Sequence, residues 1–157
     1  MPNYDVVDEA VIDADISIVF KAMLDANNYS KWWMPHVEEK IRRGEKILRK
    51  GSVVDIKVHR IGTLTFAGRI IDIIDNKSIK LDYFEGDFIG TCEYTFESIN
   101  GKTKIRFRWE VRSNRFLLKM LSIFAPKSFP KGHSEVMQLG FKGLNHYLTQ
   151  KKKEGVV

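Results

Sequence analysis

The chain has 157 residues, of which 43% are hydrophobic, 29% are charged and one, Cys92, is a cysteine. This length fits a single domain over residues 1–157, and the composition excludes disorder, a collagen-like repeat and a coiled coil as the main architecture. The lone cysteine excludes an intramolecular disulfide framework, and no apolar run reaches the roughly 20 residues of a membrane-spanning helix. With no signal peptide pattern at the N-terminus, we expect a cytoplasmic location.

The first 35 residues predict one strand followed by two short helices. Apolar and charged residues alternate in residues 4–13, which is the period of a half-buried strand. Apolar residues recur at helical spacing in residues 16–23, and Asp15 is suited to cap that helix. A second helical turn is expected at residues 29–33, and Pro35 ends it.

Residues 36–112 predict strands joined by tight turns. Apolar and polar residues alternate, and Asn100 with Gly101 gives the strongest two-residue hairpin signal in the chain. Short turns make successive strands antiparallel, and one apolar face per strand means that helices cover one face of the sheet. Six strands are expected, at residues 36–42, 52–61, 64–75, 78–85, 88–99 and 103–112.

The last predicted element is a long amphipathic helix over residues 130–152, which is the best candidate to cover the sheet. Gly140 and Gly143 lie in its middle, where each costs about 1 kcal/mol relative to alanine. They indicate either close packing of the helix on the sheet or space left for a ligand. The amphipathic segment before it, residues 114–129, is expected to close the core, to form a movable lid or to contact a membrane.

Few residues are arranged for metal or nucleophilic chemistry. The histidines at positions 36, 59, 133 and 146 lie on four different segments, so we expect no metal site. No glycine-rich phosphate loop is present, and no cofactor is expected. Cys92 follows an apolar strand pattern and is expected to be a buried structural thiol.

Three carboxyl groups are candidates for acid–base chemistry. Asp8, Asp72 and Glu85 share the parity of apolar neighbours on their strands. A carboxyl that faces a dry cavity has a raised pKa and exchanges protons near neutral pH. Exposure at a strand end, or a bulge that reverses the parity, is the alternative for each of them.

The formal net charge is +6, and four basic residues form a stripe on one face of the last strand: Lys104, Arg106, Arg108 and Arg112. Such a stripe attracts phosphates, so RNA, a ribosome or an anionic membrane surface is a possible partner. No aromatic side chains share the stripe, as they would on a platform for single-stranded nucleic acid. An ordinary solvated sheet face is the alternative interpretation.

The order of these elements resembles the START/Bet v 1-like superfamily, with its polyketide cyclase/dehydrase-like branch as the nearest match. Two landmarks support the resemblance: residues 10–20, with sequence AVIDADISIVF, and residues 29–35, with sequence YSKWWMP. The resemblance covers nearly the whole chain. Its motifs are hydrophobic spacing and an aromatic–proline landmark, which specify a fold better than an activity.

The resemblance implies an α+β helix-grip fold, in which a curved seven-stranded antiparallel sheet wraps a long C-terminal helix and two short helices follow strand 1. It also implies a cavity between sheet and helix that binds a small hydrophobic ligand. We therefore expect binding or transport of a lipid, polyketide, quinone or isoprenoid. The alternatives are a cofactor-free cyclase, dehydratase or lyase in the same cavity, and a basic interaction module for RNA, a ribosome or a membrane.

The candidate ligand-binding residues are inward-facing residues of the sheet and of the terminal helix. Tyrosine, tryptophan and histidine are favoured because each presents an apolar body and one hydrogen-bonding atom. Adjacent helical residues do not both face a core well, so one of Trp32 and Trp33 is expected to anchor the short helix and the other to lie at a cavity rim. The candidates are Trp33, Val54, Ile56, Val58, Phe66, Leu81, Tyr83, Tyr94, Phe107, Trp109, His133, Met137, Gly140, Phe141 and Leu144.

Overall fold

A seven-stranded antiparallel sheet and one long helix form the framework of the protein. The structure, a computed structural model, describes residues 4–60, 62–116 and 127–156. The elements are β1 Tyr4–Ile12, α1 Ile16–Leu24, a 3₁₀ helix Ala26–Lys31, β2 Val37–Arg43, β3 Val53–Arg60, β4 Gly62–Ile74, β5 Ser78–Gly86, β6 Phe88–Ile99, β7 Lys102–Ser113 and α2 Ser128–Lys153.

The strand order is β1-β7-β6-β5-β4-β3-β2. Strands β2 to β7 each lie next to the following strand in the sequence, and β1 pairs with the last strand, β7. Every neighbouring pair is antiparallel. The two short helices follow β1, and α2 packs against the sheet. The predicted helix-grip fold is confirmed.

Alternation along β7 separates core from solvent. Ile105, Phe107, Trp109 and Val111 are buried, and the basic residues between them face outward. At the preceding turn Asn100 and Gly101 both have positive φ, 49° and 78°. A two-residue hairpin loop of the type I′ kind requires this conformation at both positions. The sequence signal at this turn is therefore confirmed.

Helix α2 begins at Ser128, two residues earlier than predicted, and ends at Lys153. Pro130 is its third residue, where the missing N–H has no intrahelical acceptor to lose. The last two residues of the expected lid segment, 128 and 129, thus belong to the helix. Residues 117–126 of that segment lie outside the described residues.

The two mid-helix glycines of α2 serve close packing. A Cβ on Gly140 would lie 2.9 Å from ring atoms of Trp33, and a Cβ on Gly143 would lie 2.0 Å from the carbonyl oxygen of Trp32. Both tryptophans are buried, at 6% and 7% exposure, and their rings stack with centroids 4.9 Å apart. The two adjacent tryptophans both reach the core because the 3₁₀ helix ends at Lys31 and the chain no longer follows helical geometry.

The basic stripe on β7 is largely neutralised by acidic residues of β1. Lys104 and Arg106 each lie 3.5 Å from a carboxylate oxygen of Glu9, and Arg108 lies 2.8 Å from one of Asp5. Compensated charges of this kind attract phosphate groups weakly. The structure therefore offers little support for the basic interaction module. Among the described residues, no helix is both long and apolar enough to span a bilayer.

A candidate ligand-binding cavity

A cavity of about 390 Å³ lies between the inner face of the sheet and the first turns of α2. Its α2 wall extends from Ser128 to Met137, and its other walls come from β2 to β7, from α1 and the 3₁₀ helix, and from the loop residue Trp33. The structure places twelve of the fifteen candidate residues in this wall: Trp33, Val54, Ile56, Val58, Phe66, Leu81, Tyr83, Tyr94, Phe107, Trp109, His133 and Met137.

The other three candidates lie outside the cavity wall. Gly140, Phe141 and Leu144 follow Met137 on the same buried stripe of α2, but the space there is filled by protein. The indole of Trp33 packs against Gly140 and closes the cavity at that point. Periodicity identified the buried face of the helix correctly, but it could not show where along that face the cavity ends.

Stacked aromatic rings on β6, β7 and α2 form part of the cavity wall. Tyr94 stacks on Phe107 with centroids 4.2 Å apart, and Trp109 stacks on His133 at 4.1 Å. Each ring thereby restricts the rotamers of its neighbour, and such pairs contribute about 1 kcal/mol beyond the area they bury. The wall is therefore largely formed before any ligand arrives.

His133 and Asp8 make a buried polar pair beside this wall. The Nδ1 atom of His133 lies 3.1 Å from Oδ2 of Asp8. Burial opposes ionisation of Asp8, but hydrogen bonds from His133 and Ser134 outweigh it and lower the pKa of the carboxyl. Burial lowers the pKa of His133 more than the Asp8 charge raises it. At neutral pH the pair is therefore an aspartate and a neutral histidine that donates its Nδ1–H, which leaves Nε2 as an acceptor.

Replacing Asp8 with asparagine tests the strength of this pair. We expect Asp8→Asn to lower the free energy of unfolding by about 2 kcal/mol, because a buried hydrogen bond to a charged acceptor is lost. Asp5→Asn is the matched control on the same strand, since Asp5 is exposed and pairs with Arg108. Urea unfolding at neutral pH measures both variants, and equal small effects would show that the buried pair contributes nothing special.

The other two candidate carboxyls face solvent. The pairing of β4 with β5 shifts register between Ala67 and Gly68 and again between Ile70 and Asp72. Asp72 is exposed as a result, and Glu85 is exposed at the end of β5 with Arg42 at 3.0 Å. The inward orientation considered for these two residues is wrong, and bulges together with strand-end exposure explain why.

Glu39 is a cavity carboxyl that the sequence analysis missed. It pairs with Ile56 in the β2–β3 register, so it shares the inner face with Val37 and Ile41. Its side chain lines the cavity, and no hydrogen bond or ion pair to another described residue lowers its pKa. Burial raises its pKa to about 7. The alternation of Val37, Glu39 and Ile41 was the signal that could have found it.

Cys92 is a buried free thiol, as predicted. Burial raises its pKa above the ordinary range, and a hydrogen bond with Tyr83 only partly opposes this effect. A thiol that stays protonated is a poor nucleophile and metal ligand. Among the residues that the structure describes, no cluster of three or more histidine, cysteine, aspartate or glutamate side chains is placed to hold a metal ion.

The curved antiparallel sheet, the long helix that it grips and the two short helices after β1 define the START/Bet v 1-like superfamily, also called SRPBCC. Within this class, the chain belongs to the family described as Activator of Hsp90 ATPase homolog 1-like protein, whose model matches residues 13–150. No curated protein sequence matches the chain significantly.

Solved structures of similar proteins share this fold. A START superfamily protein from Mycobacterium smegmatis superposes with a TM-score of 0.73 at 15% identity, over 93% of this chain and 97% of that one. Ara h 8.0201 gives 0.63 at 14% identity, over 94% and 98%. A protein from Chromobacterium violaceum gives 0.67 at 17% identity, over 94% and 97%. At these identities the similarity shows the fold alone.

Proposed function

We propose that this protein binds a small, mostly apolar ligand in the cavity between the sheet and α2, and that the ligand is of the size of a polyketide, a quinone or a short lipid or isoprenoid. The cavity itself carries the proposal. Its volume of about 390 Å³ falls in the range of about 300–1,000 Å³ that small-molecule sites occupy, and aliphatic and aromatic side chains form most of its wall.

The energetics favour an apolar occupant. Each Å² of apolar surface that a ligand removes from water contributes about 25 cal/mol. The aromatic stacks of the wall already hold their side chains in place, so little of the binding free energy is spent on ordering them. Polar atoms are few along this wall and serve to orient the ligand.

Organic extraction of the natively purified protein, followed by mass spectrometry, tests the proposal and identifies the ligand class. Trp33 and Trp109 line the cavity, so quenching or a shift of tryptophan fluorescence reports titration of the extracted compound. We expect one compound class at near-stoichiometric amount. Repeated absence of any extractable compound, together with no fluorescence response to apolar probes, would contradict the proposal.

A variant that fills the cavity gives a second test. Val58 lines the cavity on β3, and Val58→Phe places a ring in the space that the ligand needs. We expect at least a tenfold loss of affinity for the extracted compound, measured by tryptophan fluorescence titration. Val7→Phe is the matched control, because Val7 is 41% exposed on β1. Equal affinities of the two variants would place the ligand elsewhere.

The Asp8–His133 pair supports a second candidate function, a cofactor-free lyase or cyclase that uses the same cavity. A neutral histidine held by an aspartate is a suitable general base, and His133 lines the cavity. Deuterium exchange at the carbon next to the carbonyl of an apolar ketone, followed by NMR in D₂O, tests for such a base. Exchange that is unaffected by His133→Phe would remove this candidate.

A further inference from the structure

In the part of the chain that the structure describes, the cavity wall contains a carboxylate with no cation to neutralise it. Glu39 is the one carboxyl among the described lining residues, and Arg60 is the one arginine or lysine there. Arg60 already forms an ion pair with Glu135 of α2. His133 is engaged with Asp8 and is neutral at neutral pH. The Glu39 carboxylate, on a half-buried residue of the cavity wall, is thus left without a cation in mostly apolar surroundings, where an uncompensated charge is costly.

Aromatic side chains line the cavity together with Glu39. Tyr29 of the 3₁₀ helix, Tyr83 of β5 and Tyr94 of β6 line the same cavity, and the Glu39 charge acts on all three, adding to the burial that raises their pKa values. Trp33 also lines this cavity. A carboxylate together with tyrosine and tryptophan rings is the composition of a site that recognises an ammonium group, since the ring faces attract a cation and the carboxylate neutralises it.

We propose that the ligand is a hydrophobic amine, whose ammonium group pairs with the Glu39 carboxylate among these aromatic rings and whose apolar body fills the remaining cavity. This inference rests on the proposed function and narrows its ligand class. The ammonium supplies the cation that the wall lacks. A neutral ligand of the same shape leaves the carboxylate unpaired and gains only the apolar contacts.

Binding of such an amine has a defined pH dependence. The groups that line the cavity with Glu39 are Tyr29, Tyr83, Tyr94, Arg60 and His133. Burial keeps the three tyrosines neutral and lowers the pKa of His133, so Glu39, with a pKa of about 7, is the group among them whose charge changes most between pH 6 and 8. The pKa of Glu39 is about 7 without ligand, and a bound cation lowers it. Amine affinity therefore rises about tenfold from pH 6 to pH 8, the ratio of the ionised fractions at these two pH values.

The test compares octylamine with 1-octanol, which have the same alkyl chain and differ in charge, by calorimetry with the ligand-free protein. Octylamine stays protonated at both pH values, as an ordinary lysine does. We expect Glu39→Gln to lose at least tenfold in octylamine affinity at pH 8 and to bind 1-octanol within twofold of the wild type. Glu38→Gln is the control, because Glu38 is on the same strand but contacts His59 on the other face.

Each outcome is decisive. The proposal is supported if octylamine affinity rises with pH in the wild type and does not rise in Glu39→Gln. The wild-type pH profile is informative even if the variant does not fold. Octylamine affinity that is independent of pH and of Glu39, with 1-octanol still bound, overturns the amine proposal and leaves the apolar ligand site intact. Failure of both compounds to bind, with nothing extractable from the native protein, overturns the proposed function as well.

Discussion

Replacing Gly143 with alanine is expected to lower the free energy of unfolding by about 3 kcal/mol and the Tm by about 10 °C. The new Cβ would lie 2.0 Å from the carbonyl oxygen of Trp32, which is backbone and cannot rotate away. Helix α2 would have to move off the Trp32–Trp33 segment, and this cost exceeds the roughly 1 kcal/mol that alanine gains in helix propensity. Urea and thermal unfolding measure the change.

Gly132→Ala is the matched control in the same helix. A Cβ at Gly132 would lie 3.8 Å from the nearest atoms, in the Arg60 side chain, which is ordinary van der Waals contact. This variant is expected to gain up to about 1 kcal/mol, because alanine is the better helix former. A Gly143→Ala protein as stable as Gly132→Ala would show that the contact between helix and Trp32 is looser than described.

Replacing Glu39 with glutamine is expected to stabilise the ligand-free protein at pH 8.5 by up to about 3 kcal/mol. The pKa of Glu39 is about 7 in the folded protein, raised from an ordinary value of 4.5. Between these values the folded state holds a proton that the unfolded state releases, so its stability falls as pH rises from about 4.5 to 7 and stays reduced above. Each pKa unit corresponds to about 1.4 kcal/mol. Urea unfolding of both proteins at pH 5 and pH 8.5 gives the comparison.

The difference between wild type and Glu39→Gln isolates this one group, because the other groups titrate alike in both proteins. His133 contributes a trend of opposite sign, since its lowered pKa costs stability as pH falls below about 6.5. Glu38→Gln serves as the control and is expected to show no gain at pH 8.5, because a hydrogen bond to His59 lowers the pKa of Glu38. A Glu39→Gln protein less stable than wild type at pH 8.5 would show that this carboxyl has a partner when ionised.

The fold could be predicted because local patterns agree with it throughout. Alternation in β7, the Asn100–Gly101 turn and the amphipathic stripe of α2 each depend on near neighbours in sequence, and each is present in the structure. The resemblance in element order then implied one sheet closed by one helix, and the observed strand order agrees with it. No long-range information was needed for these elements.

The site was less accessible to prediction, because its limits depend on contacts between distant segments. The bulges of β4 turn Asp72 from the inner to the outer face of the sheet. No residue type in that strand indicates that bulges are present. The cavity ends at Gly140 because the Trp33 indole, more than a hundred positions earlier, packs there. Glu39 is different: strand parity alone places it beside Val37 on the inner face, so it was within reach of sequence reasoning.

The two parts of helix α2 have different structural roles. Its first turns, up to Met137, form a wall of the cavity, whereas Gly140 and Gly143 hold the later turns against the tryptophan pair. Substitutions in the first part change the shape of the cavity and leave the packing of Gly140 and Gly143 against the tryptophans intact. Sequence variation in the first turns of α2 is therefore compatible with an unchanged fold, because the later turns fix the helix against the Trp32–Trp33 segment.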